Sequence, residues 1–195
     1  MKSMLKDAAI LFAITLISGL LLGVVYEVTK DPIAKQEAMR KNAACKEVFQ
    51  DAVNFETLEL SAVNGENTAA TINEVSKAVA EDGTVLGYVF DITTHEGYNG
   101  DIQFTMGIRM DGTVNGISLL SIAETPGLGM KAEEVLKPQF AEKNVSLFSY
   151  TKTGAVTADQ IDAISGATIT TNALVNGVNT GLEYFKTELG GGANE

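Results

Sequence analysis

Residues 102–122 read IQFTMGIRMDGTVNGISLLSI, and this stretch decides the fold. Apolar residues recur at every second position from Ile102, which is the period of a strand with one buried face. The Asp-Gly pair at 111–112 is a strong signal for a two-residue hairpin, and Thr113 to Ile122 supplies the return strand. The same alternation occurs upstream in TVLGYVFDI, residues 84–92. The sequence therefore predicts an antiparallel sheet of at least three strands.

Two helical patterns follow the sheet. The first spans roughly Lys131 to Phe140 and is interrupted at Pro138, and the second begins near Thr170 or Thr171. In the second pattern the apolar residues recur on one helix face, at Leu174, Val178, Leu182 and Phe185. The predicted fold class is therefore α+β, an antiparallel sheet with packed helices.

The N-terminal stretch is apolar on every face. Residues 8–26 read AAILFAITLISGLLLGVVY, without a charge, and as a helix they would be roughly 28 Å long, enough to cross a bilayer core. A cleaved signal peptide is the alternative, but the run is long and no A-x-A pattern follows it. We therefore predict a single retained transmembrane helix within residues 1–30. Lysines flank it on both sides, so the charge count does not decide its orientation.

The rest of the chain divides by composition. Asp31-Pro32 predicts a break after the anchor, with Pro32 in the first turn of a new helix. Residues 51–82 are polar and weakly patterned, with turn signals at Asn64-Gly65 and Asp82-Gly83. We predict a linker helix and weakly patterned segment over 31–82, the sheet domain over 83–189 and a disordered tail over 190–195.

Composition excludes several classes of function. The net charge of −11 repels phosphate backbones, so no nucleic-acid partner is expected. Cys45 and His95 are the one cysteine and the one histidine of the chain, too few for a Cys/His metal site or an iron–sulfur cluster. No metal site and no catalytic residue are predicted.

Two loops of the sheet domain could hold a ligand. HEGYNG, residues 95–100, is either a plain hairpin loop or one whose Tyr98 lies on a planar ligand. ETPGLGM, residues 124–130, is either a turn or a loop whose bare backbone at Gly127 and Gly129 lets a ligand approach. The residues alone leave both alternatives open in each loop.

A third segment precedes the last helix. DAISGATITT, residues 162–171, places hydroxyls near a helix N-terminus, which has free N–H donors that suit a phosphate. Gly166 and Ala167 leave room for such an anion, although the Gly-Lys-Ser/Thr of a P-loop is missing. The alternative is an N-cap with extra threonines, and the segment alone favours neither.

Together the three segments resemble the FMN-binding domain family whose flavin is attached covalently. Asp162 to Thr168 resembles its Asp-x-x-(Ser/Thr)-Gly-Ala-Thr motif, Glu124 to Gly129 a second hallmark, and Gly97-Tyr98-x-Gly100-x-Ile102 a third. The resemblance covers nearly the whole chain and is weakest over 51–82. It implies that residues 83–189 bind FMN, and that a separate flavin transferase esterifies the FMN phosphate to Thr168, which makes the chain a phosphoprotein.

The resemblance also implies roles for the surrounding residues. The phosphate is expected at the start of the last helix, held by N–H groups and by the hydroxyls of Thr170 and Thr171. Asp162 is expected to serve the attachment step. The expected FMN contacts are Thr168, Ser165, Gly166, Ala167, Thr170, Thr171, Thr125, Gly127, Leu128, Gly129, Tyr98 and Glu124, with Tyr98 and Leu128 near the isoalloxazine ring, Thr125 near its polar edge and Glu124 holding its loop.

Within this family the chain is most similar to the RnfG component of the Rnf (Rsx) complex, an ion-translocating ferredoxin:NAD⁺ oxidoreductase. The similarity implies an electron carrier that is an enzyme only as part of that complex and binds no NAD itself; no G-x-G-x-x-G follows a strand. It implies a cytoplasmic-membrane location with the FMN domain on the extracytoplasmic side. The implied partners are the other membrane subunits, the flavin transferase and membrane lipid.

Four alternatives stay open. The NqrC component of the Na⁺-translocating NADH:quinone oxidoreductase belongs to the same family but is typically longer, and other flavinylated extracytoplasmic carriers share the motifs. Of a different class are a membrane-anchored binding module without redox function, and a structural component that only holds a complex together.

Overall fold

A five-stranded antiparallel sheet forms the centre of the structure, a computed structural model that describes residues 2–59 and 69–190. Its strands follow one another in chain order: β1 Asn54–Leu58, β2 Ala70–Val79, β3 Val85–Thr94, β4 Ile102–Arg109 and β5 Val114–Ser121. Helix α1, Lys2–Val48, precedes the sheet. After the sheet come a 3-10 turn at Gly129–Lys131, α2 Ala132–Val135, α3 Lys137–Phe140, the parallel pair β6 Ser149–Thr151 and β7 Gln160–Asp162, and α4 Thr168–Glu188. The predicted α+β class is confirmed.

The hairpin predicted at 111–112 joins β4 to β5, but its loop has three residues, 110–112, rather than two, because the N–H of Arg109 donates to the carbonyl of Thr113 at 2.8 Å. Asp111 accepts a hydrogen bond from the backbone N–H of Thr113 at 2.9 Å, and Gly112 has φ +83, which only glycine adopts without strain. This turn fixes the register of the two strands, so that Phe104, Met106 and Ile108 all turn one way and are fully buried.

Helix α4 covers that buried face of the sheet. Its predicted apolar face, Leu174, Val178, Leu182 and Phe185, is buried in the main hydrophobic core with the apolar residues of β3 and β4. Two glycines let the helix come close: a Cβ at Gly177 would lie 2.9 Å from the Phe104 ring, and one at Gly181 would lie 2.7 Å from the Met106 side chain. The helix axis is therefore set by the sheet surface beneath it.

The end of α1 covers the opposite face. Cys45, Val48 and Phe49 form a second core cluster with Ala52, Ala78 and Val89. Burial raises the pKa of the Cys45 thiol to about 11. Beside this cluster the Lys41 ammonium lies 2.7 Å from Glu74 and 3.2 Å from the buried Asp91. Both faces of the sheet are thus covered, and the loops that join its strands are left at the two ends.

The chain divides into two compact units, Met1–Arg40 and Lys41–Glu195. The first unit is the N-terminal part of α1, whose large apolar side chains are exposed. By length and composition this helix can cross a membrane, since its most apolar window has a mean hydropathy of 2.6 and none of that window is buried.

Three sequence expectations differ from the structure. Helix α1 does not break at Asp31-Pro32, because a proline removes only one helical hydrogen bond and helix formers continue on both sides. Segment 51–82, predicted to be weakly patterned, contains β1 and β2. The last helix begins at Thr168 rather than near Thr170. The predicted turn at Asn64-Gly65 and residues 191–195 of the predicted tail lie outside the described residues.

Gly87→Ala is expected to lower the free energy of unfolding by about 1–3 kcal/mol, because overpacked cores are destabilised by that amount. A Cβ at Gly87 would overlap the Ile108 carbonyl and lie 2.7 Å from the Phe49 ring. Urea denaturation of the chain measures the loss. Glu81→Ala, in the exposed β2–β3 turn, serves as the control and should change stability by less than about 0.5 kcal/mol; equal effects would contradict the packing argument.

Lys41→Met is expected to destabilise the domain at pH 7 by about 1–2 kcal/mol, after allowance for the solvent screening of a half-exposed lysine. Burial alone would raise the pKa of Glu74, but the hydrogen bonds and charge of Lys41 outweigh it and lower the pKa. The stabilisation from Glu74 is therefore present above the ordinary carboxylate range and is lost as pH falls through the folded-state pKa. The unfolding free energies of wild type and variant should converge in acid. Lys152→Met, at an exposed lysine, should show no such convergence.

Candidate functional site

The three loop segments meet at one cavity of about 480 Å³. In an antiparallel meander the end of β3, the start of β4 and the end of β5 lie at the same end of the sheet, and α4 begins there too. The lining comes from the β3–β4 loop, the loop after β5 and the start of α4: Tyr98; Glu124, Thr125, Leu128 and Gly129; and Gly166, Ala167, Thr168, Ile169 and Thr170. Nine of these ten residues were predicted from the sequence.

The Glu124 side chain connects all three segments. It is only 5% exposed. Its Oε1 accepts the backbone N–H of Asn99 at 3.3 Å, and its Oε2 accepts the Thr170 hydroxyl at 3.1 Å. The Asn99 side chain in turn donates to the carbonyl of Ala123 at 2.7 Å. The expected role of Glu124 in holding its own loop is therefore too narrow, because this carboxylate also ties the β3–β4 loop and α4 to it.

Two glycines are needed around this carboxylate. A Cβ at Gly129 would lie 2.6 Å from the Thr170 hydroxyl and 2.7 Å from Glu124 Oε2. A Cβ at Gly97 would lie 3.0 Å from Glu124 Oε1 and overlap the carbonyl of Gly100. Glycine is thus required at 129 by Glu124 and Thr170, and at 97 chiefly by the Gly100 carbonyl.

The threonines at the start of α4 have different environments. Thr170 and Thr171 are 0% exposed. The Thr170 hydroxyl donates to Glu124, and the Thr171 hydroxyl donates to the Ala167 carbonyl at 3.0 Å and accepts from the Ile164 N–H at 3.2 Å. Both hydroxyls thus donate within the protein, and their expected contact with a phosphate stays a prediction. Thr168 is partly exposed, lines the cavity, and its hydroxyl has no hydrogen-bond partner in the described chain.

The N-terminus of α4 ends at the cavity without a side-chain cap. Its N-cap residue is Ala167, so the extra threonines are not caps. Over residues 2–59 and 69–190, no backbone carbonyl accepts from the N–H groups of Thr168, Ile169 or Thr170. Such an end combines free donors with the positive end of the helix dipole and favours an anion.

Some predicted residues lie outside the cavity wall. Ser165 is exposed in the loop before α4, and Gly127, with φ +78, makes the turn that presents Leu128. Asp162 ends β7, where its carboxylate accepts the Ala155 N–H at 2.5 Å and its backbone bonds to the Gln139 side chain. The structure thus shows Asp162 in a local loop contact.

Ile169 is the cavity residue that the sequence did not predict. It is 52% exposed although apolar, and it follows Thr168 directly. Its signal was an apolar side chain in the first turn of a helix, off the buried face of that helix. With Tyr98 and Leu128 it gives the cavity three exposed apolar walls.

Residues 97–183 match the FMN-binding domain family, and residues 1–48 match the RnfG N-terminal region. The G component of the Na⁺-translocating ferredoxin:NAD⁺ oxidoreductase complex of Acetobacterium woodii is 32% identical over 197 residues, covering 95% of this chain and 93% of that protein. The G component of the ion-translocating oxidoreductase complex of Methanosarcina acetivorans is 30% identical over 191 residues, covering 97% and 98%. The crystal structure of Shewanella oneidensis NqrC matches with a TM-score of 0.51 and 20% identity, over 71% of this chain and 70% of that one, which shows a shared fold.

Thr170→Val is expected to lower the free energy of unfolding by about 1–3 kcal/mol, because it leaves the buried Glu124 carboxylate without one of its two donors. Thr168→Val is the matched control: the same change at a partly exposed position that makes no hydrogen bond in the described chain should cost less than about 0.5 kcal/mol. Thermal denaturation of both variants measures the difference. Equal losses would mean that the Glu124–Thr170 contact does not stabilise the site.

Proposed function

This chain belongs to the RnfG family of ion-translocating oxidoreductase complexes, and we propose from this premise that it carries electrons through FMN within a ferredoxin:NAD⁺ oxidoreductase complex. The similarity extends over the N-terminal region and the FMN-binding domain together. It covers nearly the full length of both chains. No complete activity is expected of the isolated chain.

The cavity suits FMN in size and chemistry. Its volume of about 480 Å³ falls in the range of small-molecule sites, ~300–1,000 Å³. Tyr98, Leu128 and Ile169 offer apolar surface to a flat ring, and the uncapped start of α4 offers N–H donors to a phosphate. FMN bound there supplies the electron-transfer chemistry, which the protein tunes through its contacts.

The proposal that FMN is covalently attached rests on the exposure of one threonine hydroxyl. Thr168 lines the cavity with a free hydroxyl, whereas those of Thr170 and Thr171 are buried and bonded. An ester to Thr168 would keep one negative charge on the phosphate. The free N–H groups of residues 168–170 support this proposal, because they offer donors to that charge, as predicted together with the hydroxyls of Thr170 and Thr171.

The attachment step needs help from outside the chain. A threonine hydroxyl is a poor nucleophile without a base or metal. The carboxylate in the described cavity wall, Glu124, is occupied by Asn99 and Thr170. We therefore assign activation to the flavin transferase. Asp162, exposed six residues before Thr168, is proposed to be a contact for that enzyme or its metal.

The apolar helix is proposed to be a single-pass anchor in the cytoplasmic membrane, with the FMN domain on the extracytoplasmic side. The apolar window supports the anchor. The proposed partners are the other membrane subunits, the flavin transferase and lipid. The flavin domain, first placed at 83–189, is extended to include β1 and β2, because they are hydrogen-bonded into the same sheet.

Co-expression with a flavin transferase is expected to give wild-type chain whose flavin fluorescence survives denaturing gel electrophoresis. Thr168→Val should lose this fluorescence, since it removes the esterified oxygen. Thr170→Val is the matched control and should keep it, although it is the less stable of the two variants.

Opposite outcomes assign the chain differently. Flavin that stays covalently bound in Thr168→Val places the ester elsewhere, with Ser165 next to be tested. Absence of covalent flavin from the wild type would favour a binding module without redox function. Normal flavinylation of Asp162→Ala removes the role proposed for Asp162.

A further inference from the structure

The Glu124 carboxylate is buried without a cation. Buried carboxylates are costly and are usually paired with a cation or a metal. Within the described chain the ion pairs involve other residues, and the two hydrogen bonds to Glu124 come from neutral donors, a backbone N–H and a threonine hydroxyl. A buried charge left unpaired at a cavity is more typical of a functional group than of a stabilising one.

Glu124 is the single carboxylate of the described cavity wall, which contains no lysine or arginine. The side chain is only 5% exposed, and the hydrogen bonds from Asn99 and Thr170 hold its two oxygens in place. The described wall therefore carries one acidic group at a defined position.

We propose that Glu124 lowers the reduction potential of the flavin held in this cavity, an inference that rests on the proposed function. Two-electron reduction of a flavin takes up two electrons and one proton near neutral pH, so the reduced ring carries one negative charge more than the oxidised ring. A fixed carboxylate in the same cavity opposes that gain of charge. Glu124 is thus a positioning residue that also sets the driving force for electron transfer.

The structural work of Glu124 does not itself require a charge. Glutamine has nearly the same shape, and its side-chain oxygen can accept a hydrogen bond from Asn99 or Thr170. The structural role of Glu124, which holds the three segments together, can therefore be separated from the negative charge that it brings to the cavity. The Thr170 hydroxyl moderates the charge, since a donor to the carboxylate withdraws part of its negative potential.

The test is a spectroelectrochemical titration of the full chain, flavinylated by co-expression and purified in detergent. In Glu124→Gln we expect the ratio of reduced to oxidised flavin, measured at the wild-type midpoint potential, to rise by about tenfold or more, which is ~30 mV for a two-electron couple. Thr170→Val should shift the ratio in the opposite direction, because the carboxylate stays and loses its donor. Glu134→Gln, at an exposed carboxylate in α2 outside the cavity wall, is the control and should leave the ratio unchanged.

The outcomes separate the charge from the scaffold. Glu124→Gln that loads flavin but keeps the wild-type potential overturns the proposal and leaves the flavin site intact. A rise of the reduced-to-oxidised flavin ratio in Thr170→Val overturns the proposal as well. A looser site, rather than the charge of Glu124, would then explain the shifts in both variants. If Glu124→Gln fails to fold or to bind flavin, the shift of the flavin reduction potential in Thr170→Val decides alone. A lower potential supports the proposal, and an unchanged or higher potential overturns it. A wild-type chain without flavin refutes the proposed function itself.

Discussion

The contact of one buried carboxylate with two neutral donors determines the geometry of the site. Glu124 receives hydrogen bonds from Asn99 and Thr170, and so joins a hairpin loop, a turn and a helix start that are far apart in sequence. At Gly129 the Glu124 side chain and the Thr170 hydroxyl leave no space for a Cβ. The sheet and α4 bring these parts to the same end of the domain, and the carboxylate then sets their spacing. Neither donor carries a charge, so this contact should depend little on ionic strength.

The sheet centre and the individual cavity loops were predictable because local patterns report them. The alternation in β4, the Asp-Gly turn at 111–112 and the apolar face of α4 each reflect a single burial constraint, and the structure confirms all three. The three cavity loops were identified because glycines and hydroxyl-bearing residues lie close together in their sequences. Each loop alone was equally consistent with a plain turn. Their common location could be inferred only from the resemblance to a family, since no local pattern encodes which loops meet.

The features that were missed have different causes. Strand β2 has a register shift between Ile72 and Glu74, so Ile72 and Val75 both reach the main core and the two-residue period is broken, while Glu74 bonds to Lys41. The helical continuity through Pro32 reflects the helix formers on both sides. The threonines at 170 and 171 were interpreted as caps or phosphate ligands. In the structure Thr170 donates to the distant Glu124, and Thr171 donates to the Ala167 carbonyl one turn earlier. Hydroxyl-rich helix starts are ambiguous for this reason.

The wide sequence separation of the Glu124 contacts has a consequence for the order of events during biogenesis. Asn99 is 25 residues before Glu124, and Thr170 is 46 residues after it. Contacts of such separation form late, after the intervening chain has found its place. A nascent chain that has completed β5 but not α4 has neither the helix start nor the hydroxyl at Thr168. If Thr168 is the modified residue, its modification can begin only after synthesis has reached the start of α4, later than every strand of the sheet.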